Sequence, residues 1–315
     1  MANSRQTNRK KNSDVMIALL GVTGAGKSTF ASIASDTALE IGHGVDPCTQ
    51  HPQAVPFQLN GRKIVLIDTP GFDDDKRSDV QILEAIFKWI TRKGYLKHHL
   101  LDGLIFLHPV TLNRVGGAER KRTRLLEKIL GPKAYKRVII ATTMWDDLKS
   151  DDVAKSRLEG RTIKGGIWDE MLSEGAHIMR HDNTKESAHK IIQKVVEISD
   201  REGKVKSLLE FELIKHSGRV GKTSAGKELK ERIREEINLL KELREEHWKE
   251  KPVEPSKTEK QDKKGPKWVE WKKWRDELRE LDKKIEAKEI DYEKVDTMVV
   301  RIRNFFAKLF SSSSM

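Results

Sequence analysis

The chain contains one cysteine, Cys48, and no long apolar run. A single cysteine excludes an internal disulfide and fits a reducing compartment, so we expect a cytoplasmic protein. No stretch approaches the roughly 18 apolar residues of a membrane-spanning helix. Residues 1–13 are polar and basic, lack the apolar segment of a signal peptide and are expected to be disordered. These absences favour a protein that is soluble or peripheral to a membrane.

The chain also lacks a long block of charge of one sign, although it carries 61 basic and 49 acidic residues and a formal net charge of +12. The basic excess is divided evenly between the residues before and after position 200. Charge spread in this way favours solvated faces over a nucleic-acid surface, and we expect no nucleic-acid partner. The hydrophobic content of 37% indicates that part of the chain lies outside a packed core.

Short apolar runs alternate with helical patterns up to about residue 199, which predicts an α/β fold. Strands are predicted at 15–20, 54–59, 63–68, 102–108, 136–142 and 176–180, and helices at 27–39, 78–93, 117–130, 150–162 and 185–199. Asn60-Gly61 is a strong hairpin signal between the second and third strands. We therefore expect a three-layer domain over 14–215, with a six-stranded, mostly parallel sheet containing one antiparallel strand.

The alternation stops after residue 200, where charged residues dominate, and a last apolar cluster ends near residue 214. We expect a helical segment at 216–250, a charged linker at 251–266, an amphipathic helix at 267–310 and a disordered tail at 311–315. Apolar residues recur in steps of three and four from Trp271 to Leu309, which is heptad spacing. This spacing predicts either a coiled coil or a helix folded back onto the 216–250 segment. The apolar and basic stretch 299–310 also suits contact with an anionic membrane surface.

Residues 21–28 read G-V-T-G-A-G-K-S and follow the first apolar run, which is the pattern of a phosphate-binding loop. Lys27 is expected to reach the β- and γ-phosphates, and the Ser28 hydroxyl to bind Mg²⁺. The remaining nucleotide contacts are expected from the loop and the start of the helix that follows it, at Gly21, Thr23, Gly24, Ala25, Gly26 and Thr29. The chain should therefore bind a nucleoside triphosphate. A similar pattern at 221–227 lacks the Ser/Thr ligand and a preceding strand, so we do not expect it to bind phosphate.

Asp68-Thr-Pro-Gly71 follows the predicted strand 63–68. Asp68 can hold a Mg²⁺-bound water, and the N–H of Gly71 can face the γ-phosphate. Between this motif and the phosphate-binding loop lies a polar, turn-rich segment whose Thr49 hydroxyl could complete the Mg²⁺ coordination. Thr37 is the alternative, but it is predicted to lie in the first helix, so we prefer Thr49.

The base is predicted from the residues after strand 136–142, which read T-T-M-W-D-D. A carboxylate at Asp146 can accept hydrogen bonds from N1–H and the exocyclic amine of guanine, which adenine does not offer. Thr143 and Met144 depart from the familiar Asn-Lys-x-Asp, and Met144 or Trp145 could stack on the base. Asn183, after the last strand, is a further candidate for base contact.

These motifs together resemble those of the septin-like GTPases, and within that group the GTPases of immunity-associated proteins and their fungal relatives. The resemblance covers about residues 14–228 and includes the box 113–117 after the fourth strand. It implies a Ras-like G domain, slow hydrolysis of GTP to GDP and dimerisation across the face of the G domain. It also implies a homodimer or homo-oligomer, to which a coiled coil could contribute.

Position 72 differs from Ras-type switches, which place a water-orienting glutamine there, because this chain has Phe72. Hydrolysis should therefore be slow or assisted by a second protomer, for which His51 and Arg114 are candidates. We expect a nucleotide-dependent assembly switch with Lys27, Thr49 and Gly71 at the catalytic centre. The alternative is a GTP-binding scaffold with negligible hydrolysis. An ATP-dependent enzyme is a third alternative, against which Asp146 argues.

Overall fold

A computed structural model describes residues 14–39, 53–69, 71, 80, 101–113, 115–202, 207–263 and 265–299. The chain forms two compact units, the first ending at Gly218 and the second comprising Arg219–Val299. The boundary lies slightly later than the one expected after residue 215, because the short helix Leu208–Lys215 and the turn that follows it belong to the first unit.

A six-stranded sheet forms the centre of the first unit, in the order β2-β3-β1-β4-β5-β6. Its strands are β1 Val15–Gly21, β2 Gln53–Leu59, β3 Arg62–Asp68, β4 Gly103–Pro109, β5 Val138–Thr143 and β6 His177–Arg180. Only the β2–β3 pair is antiparallel, and Asn60, with φ at 50°, and Gly61, with φ at 72°, form its turn. The predicted fold class and hairpin are confirmed. The parallel strands all end at the same edge, where their following loops meet.

Helices cover both faces of the sheet. In the described residues of this unit they are α1 Lys27–Ser35, α2 Gly117–Leu130, α3 Pro132–Tyr135, α4 Asp151–Thr162, α5 Asp169–Ser173, α6 Lys185–Glu202 and α7 Leu208–Lys215. In β1, Ile17 and Leu19 join the core shared with α1 and α6, whereas Ala18 and Leu20 join the core shared with α2 and α5. This alternation follows from the two-residue period of a strand. The predicted helix 78–93 lies outside the described residues, apart from Val80.

A buried charged pair joins α2 to α4. The Arg161 guanidinium donates to both carboxylate oxygens of Glu119, at 2.8 and 3.0 Å, and Arg161 is only 1% exposed. Arg161 also donates to the carbonyl of Leu112 at 3.2 Å. The pair therefore fixes the loop after β4 as well as the two helices, and its burial means that neither charge can be solvated if the other is lost.

His108 lies beside this pair on β4. Its ring meets Trp168 edge to face, with 4.8 Å between ring centroids, and its Nε2 is 3.8 Å from a Glu119 oxygen. Burial, followed by the positive charges of Arg161 and Arg122, lowers the pKa of His108 to about 3. Glu119 does not offset this effect because its carboxylate is already paired with Arg161. His108 is therefore neutral at physiological pH, despite its short distance to an acidic group.

Acidification should destabilise the first unit through His108. His108 takes up a proton near pH 6.5 in the unfolded chain but only near pH 3 in the folded protein. The free energy of unfolding therefore falls as the pH is lowered between these two values. Between pH 7 and about pH 5 we expect a loss of about 2 kcal/mol in the free energy of unfolding. Urea unfolding at several pH values measures it. The slope should become shallower in His108→Leu than in the unaltered protein; equal slopes in the two proteins would contradict the assignment.

The second unit is an antiparallel pair of helices, α8 Ser224–Lys249 and α10 Pro266–Thr297. Lys230 donates to Asp296 at 2.6 Å near one end, and Lys241 donates to Glu289 at 2.8 Å farther along. Leu278 and Ile285 are buried on the apolar face of α10. Of the two alternatives that heptad spacing left open, the structure has the helix folded back within one chain. None of the described helices is long and apolar enough to cross a membrane.

One expected boundary in this unit is wrong, and one segment has more regular structure than expected. The helix predicted over 267–310 ends at Thr297, and Val299 instead forms an antiparallel bridge with Arg219. The segment 251–266, expected to be a linker, contains the short helix α9 Lys257–Asp262. Ser256 and Glu259 form a capping box that starts α9, which a composition rich in proline and lysine conceals. The basic and apolar stretch 300–310 lies outside the described residues.

The glycines of the look-alike pattern at 221–227 have a packing role. A Cβ atom on Gly226 would lie 2.0 Å from the carbonyl oxygen of Val220, and one on Gly221 would lie 3.1 Å from the carbonyl oxygen of Val295. The side chain of Thr223 caps α8 by accepting from the N–H of Gly226 at 3.0 Å. Close packing and helix capping therefore account for these residues without a phosphate.

Candidate functional site

The loop between β1 and α1 holds the predicted phosphate-binding residues. Gly26 is the N-cap of α1 with φ at 90°, a conformation that favours glycine, and it provides no side-chain cap. Lys27 is 7% exposed, and its Nζ donates to the carbonyl oxygens of Gly21 at 3.1 Å and Val22 at 2.8 Å. The ammonium group therefore lies across the loop, at the positive end of a helix. Thr23 and Gly24 are exposed, Ala25 is buried, and Thr29 is half-buried in the first turn of α1.

Ser28 and Asp68 meet beside this loop. The Ser28 hydroxyl donates to a carboxylate oxygen of Asp68 at 2.7 Å, although the two residues are 40 positions apart. Asp68 is 1% exposed at the end of β3, which pairs directly with β1. Neighbouring parallel strands thus bring together a hydroxyl and a carboxylate, the oxygen ligands that Mg²⁺ prefers.

Gly71 approaches the phosphate-binding loop closely. A Cβ atom at this position would lie 2.2 Å from Oγ1 of Thr23 and 2.5 Å from its backbone nitrogen, so no larger residue fits without a shift. Thr69 fixes the approach by donating from its hydroxyl to the carbonyl oxygen of Leu19 at 2.6 Å. The backbone at Gly71 therefore lies against the loop expected to hold the phosphates.

Thr143 connects the predicted base-binding loop to the phosphate-binding loop. Its hydroxyl donates to the carbonyl oxygen of Ala25 at 3.1 Å, across 118 positions of sequence. The Thr143 side chain therefore holds the loop after β5 against the phosphate-binding loop. Met144 follows with φ at 61°, and Asp146 is exposed beyond it. The turn thus directs the chain away from the sheet directly after Thr143.

Trp145 and Arg180 link the loop after β5 to the loop after β6. The Arg180 guanidinium lies over the Trp145 ring, 4.3 Å from its centroid, while the indole N–H donates to Thr142. Arg180 also donates to Asp151 at 2.6 Å and to Asp182. Sequence reasoning considered Trp145 only for base stacking and missed this link, although an arginine at the end of one strand and an aromatic residue after its neighbour could have suggested it.

Asn183 lies in the turn after β6, with φ at 55°. His181 precedes it and is anchored twice, by its N–H to the carbonyl oxygen of Thr142 at 2.9 Å and by its ring nitrogen to the Ser187 hydroxyl at 2.8 Å. Burial lowers the pKa of His181 to about 4, so its ring is neutral near pH 7. Asn183 therefore lies two residues after the anchored His181. It is at the edge of the sheet where the loop that carries Asp146 begins.

Thr37 was set aside as a Mg²⁺ ligand because it was predicted to lie in the first helix. The structure contradicts that reason but supplies a different one. Helix α1 ends at Ser35, because Asp36 adopts a left-handed conformation, so Thr37 is not in the helix. Thr37 instead lies beyond the C-terminal end of α1. The nine-residue helix places it roughly 12 Å from Ser28, at the opposite end. Thr49, Phe72, His51 and Arg114 lie outside the described residues.

The residues that are described fit a magnesium nucleotide. Oxygen donors at Ser28 and Asp68 suit the metal, the ammonium of Lys27 suits phosphate charge, and Gly26 and Gly71 leave no side chain beside the loop. Among the described residues no group of three or more His, Cys, Asp or Glu side chains could hold a metal by itself.

Comparison with known families gives a match to the AIG1 family over residues 15–162. The matched segment begins with β1 and ends with α4, so it includes the phosphate-binding loop, Asp68 and the loop after β5. It covers slightly less than half of the chain. The match supports the resemblance of this segment to the GTPases of immunity-associated proteins, whereas the wider septin-like and fungal resemblance stays a prediction.

Curated relatives match over a similar length. GTP-binding protein A of Dictyostelium discoideum is 27% identical over 135 residues, which is 43% of this chain and 29% of that protein. GTPase Der of Coxiella burnetii is 28% identical over 143 residues, which is 45% of this chain and 30% of that protein. The chain thus spans less than a third of the length of these relatives.

Among solved structures, Toc33 from Arabidopsis thaliana, crystallised as a dimerisation-deficient mutant, is similar with a TM-score of 0.50 and 15% identity. The match covers 64% of this chain and 90% of that one. At this identity the similarity concerns the fold, and the first unit accordingly has the fold of a G domain, with the helical unit following it.

Proposed function

We propose that the chain binds GTP and GDP with Mg²⁺ and hydrolyses GTP slowly, as a nucleotide-dependent assembly switch. One observation carries this proposal: three loops at one sheet edge are hydrogen-bonded into a single site. Ser28 bonds Asp68 at 2.7 Å, and Thr143 bonds Ala25 at 3.1 Å, so a metal ligand pair and a base-binding loop are both fixed to the phosphate-binding loop. The AIG1 match over 15–162 supports guanine as the base.

Within this proposal each residue has a defined task. Lys27 exchanges its two carbonyl partners for phosphate oxygens and stabilises the charge that develops on them. Ser28 and Thr49 would ligate Mg²⁺, Asp68 would hold one of its waters, and the N–H of Gly71 would contact the γ-phosphate. Bound Mg²⁺ would polarise the phosphoryl group. Asp146 pairs with guanine, and Asn183 lies beside the base.

The guanine preference is tested by replacing Asp146. In the unaltered protein GTP should displace a fluorescent GDP analogue far more effectively than ATP. Asp146→Ala should weaken GTP binding at least about tenfold, because guanine N1–H and its amine lose their charged acceptor, while ATP binding stays unchanged. Competition titrations with both nucleotides measure the two affinities.

Asp147→Ala is the matched control, since Asp147 is the next residue, equally acidic and also exposed. It should leave both affinities unchanged. If Asp147→Ala lost GTP affinity and Asp146→Ala did not, guanine recognition would belong to the other carboxylate. Equal displacement by ATP and GTP in the unaltered protein would overturn the guanine assignment and favour the ATP-dependent alternative.

We further propose that hydrolysis depends on a homodimer formed through the G domain. Toc33, which shares the fold, was crystallised as a mutant deficient in dimerisation, so a G domain of this architecture can dimerise. Single-turnover hydrolysis of GTP should accelerate as protein concentration rises, with a matching increase in molecular mass in the presence of a GTP analogue. A measurable rate independent of concentration would contradict the dimer. A persistent absence of turnover would favour the GTP-binding scaffold instead.

A further inference from the structure

The end of the helical hairpin where α8 passes into α10 concentrates aromatic and basic residues. We call residues 247–275 the hairpin tip. It contains four of the seven tryptophans of the chain, together with ten basic and five acidic residues. The rest of this unit, residues 219–246 and 276–299, has no tryptophan and carries 13 basic and 16 acidic residues. The tip is therefore cationic and aromatic, whereas the stem is weakly acidic.

One of the four tryptophans anchors the tip. The indole N–H of Trp274 donates to the carbonyl oxygen of His247 at 2.9 Å, and the His247 ring bonds the carbonyl oxygen of Trp274 at the same distance. Trp274 is 8% exposed and stacks with its ring parallel to that of His247. This reciprocal pair joins α8 to α10, so packing accounts for Trp274 and the tip has a fixed base.

The other three tryptophans are not buried. Trp248 is 51% exposed, and two valines near it in sequence, Val253 and Val269, are 74% and 60% exposed. Trp268 and Trp271 are half-buried. The exposed apolar side chains share this segment with ten basic residues, a combination that suits the boundary between water and lipid, where indole rings and basic side chains are both stabilised.

Basic side chains lie over the rings of the half-buried tryptophans. Lys272 lies over Trp268 at 5.2 Å, and both Lys260, at 5.3 Å, and Arg275, at 4.8 Å, lie over Trp271. A nucleobase would need a free ring face to stack on, so this arrangement disfavours a single-stranded nucleic acid. Lipid headgroups need no such face, because phosphate oxygens can pair with the cations while the exposed apolar residues enter the boundary layer.

We propose that the hairpin tip docks on the surface of an anionic phospholipid bilayer. The tip shares no residue with the 299–310 stretch or with the nucleotide site, so the proposal does not depend on nucleotide binding. The charge excess of the tip supplies the attraction, and Trp248, Val253 and Val269 supply shallow apolar insertion. The bound state should weaken with added salt, because surface electrostatics are screened.

The test is sedimentation of the full chain with vesicles of phosphatidylcholine, with or without phosphatidylserine. Lys267→Glu/Lys272→Glu/Lys273→Glu reverses three exposed charges in the tip, and Arg279→Glu/Lys283→Glu/Lys284→Glu reverses three exposed charges on the stem of the same helix. Because each basic residue near such a surface contributes roughly fivefold to affinity, the tip variant should bind more than about tenfold more weakly. The stem variant should bind like the unaltered protein.

A second pair of variants tests insertion without changing charge. Val253→Ser/Val269→Ser should reduce binding and the blue shift of tryptophan emission on vesicles, whereas Leu239→Ser/Ile290→Ser, exposed on the stem, should not. Equal loss in the tip and stem variants, or equal binding to neutral and anionic vesicles, would overturn the proposal. So would absent vesicle binding, or binding of a single-stranded oligonucleotide in preference to vesicles.

Discussion

Lys27→Ala is expected to abolish nucleotide binding, with a loss of affinity for GTP and GDP of about 100-fold or more. The ammonium of Lys27 is 7% exposed and is held by the carbonyl oxygens of Gly21 and Val22, so it is already placed across the loop before a phosphate arrives. A charged hydrogen bond contributes about 1.5–3 kcal/mol, and a lysine that contacts two phosphates makes more than one. Titration with a fluorescent GDP analogue measures the loss.

Lys227→Ala provides the matched control, because Lys227 is the lysine of the look-alike pattern at 221–227. It is exposed on α8, where packing and capping account for the nearby glycines. Its affinity for nucleotide should be that of the unaltered protein. Thermal unfolding adds a second measurement, since a nucleotide that binds only the folded state raises the melting temperature. Undiminished affinity in Lys27→Ala would remove the basis for the proposed function.

Most strands of the sheet were predictable because they are apolar runs bounded by polar or turn residues, whereas β2 and β6 mix apolar and polar residues. All six predicted strands agree with the structure within about two residues, and Asn60-Gly61 forms the predicted turn. The association of Ser28 with Asp68 also follows from sequence, since motifs at the ends of neighbouring parallel strands must meet at one edge. These are local patterns whose spatial meaning is fixed by the topology.

Helix ends were less predictable. The first helix ends at Ser35 because Asp36 takes a left-handed conformation, which nothing in the apolar spacing indicates. The long helix of the second unit ends at Thr297 although heptad spacing continues, because Val299 pairs with Arg219. In both cases a conformation or partner outside the periodic pattern determines the boundary.

The positioning residues around the site were missed for a different reason. Arg161 and Glu119 are charged residues of two helices, 42 positions apart, and a charge on an amphipathic helix ordinarily faces solvent. Only the folded structure shows that both side chains are buried and hydrogen-bonded to each other. The pairing of Trp145 with Arg180 similarly joins two loops that sequence reasoning treated separately. Contacts of this kind depend on tertiary distance, which spacing along the chain does not encode.

Glu119→Ala is expected to be the most destabilising substitution proposed for the first unit, at about 3–5 kcal/mol in the free energy of unfolding. Arg161 is 1% exposed, and both carboxylate oxygens of Glu119 accept its hydrogen bonds, at 2.8 and 3.0 Å. The variant therefore leaves a buried guanidinium without its counter-charge and retains only carbonyl partners such as Leu112. Urea unfolding of the unaltered protein and the variant measures the difference.

Asp152→Ala is the matched control, because Asp152 pairs with Lys155 at 3.2 Å on α4 but both side chains are largely exposed. Its cost should be below about 1 kcal/mol. The double variant Glu119→Leu/Arg161→Met should recover much of the stability that either single substitution loses, since it removes both buried charges and leaves apolar side chains in their place. Additive losses in the double variant, or equal losses in Glu119→Ala and Asp152→Ala, would contradict a coupled buried pair and indicate that water reaches Arg161 between α2 and α4.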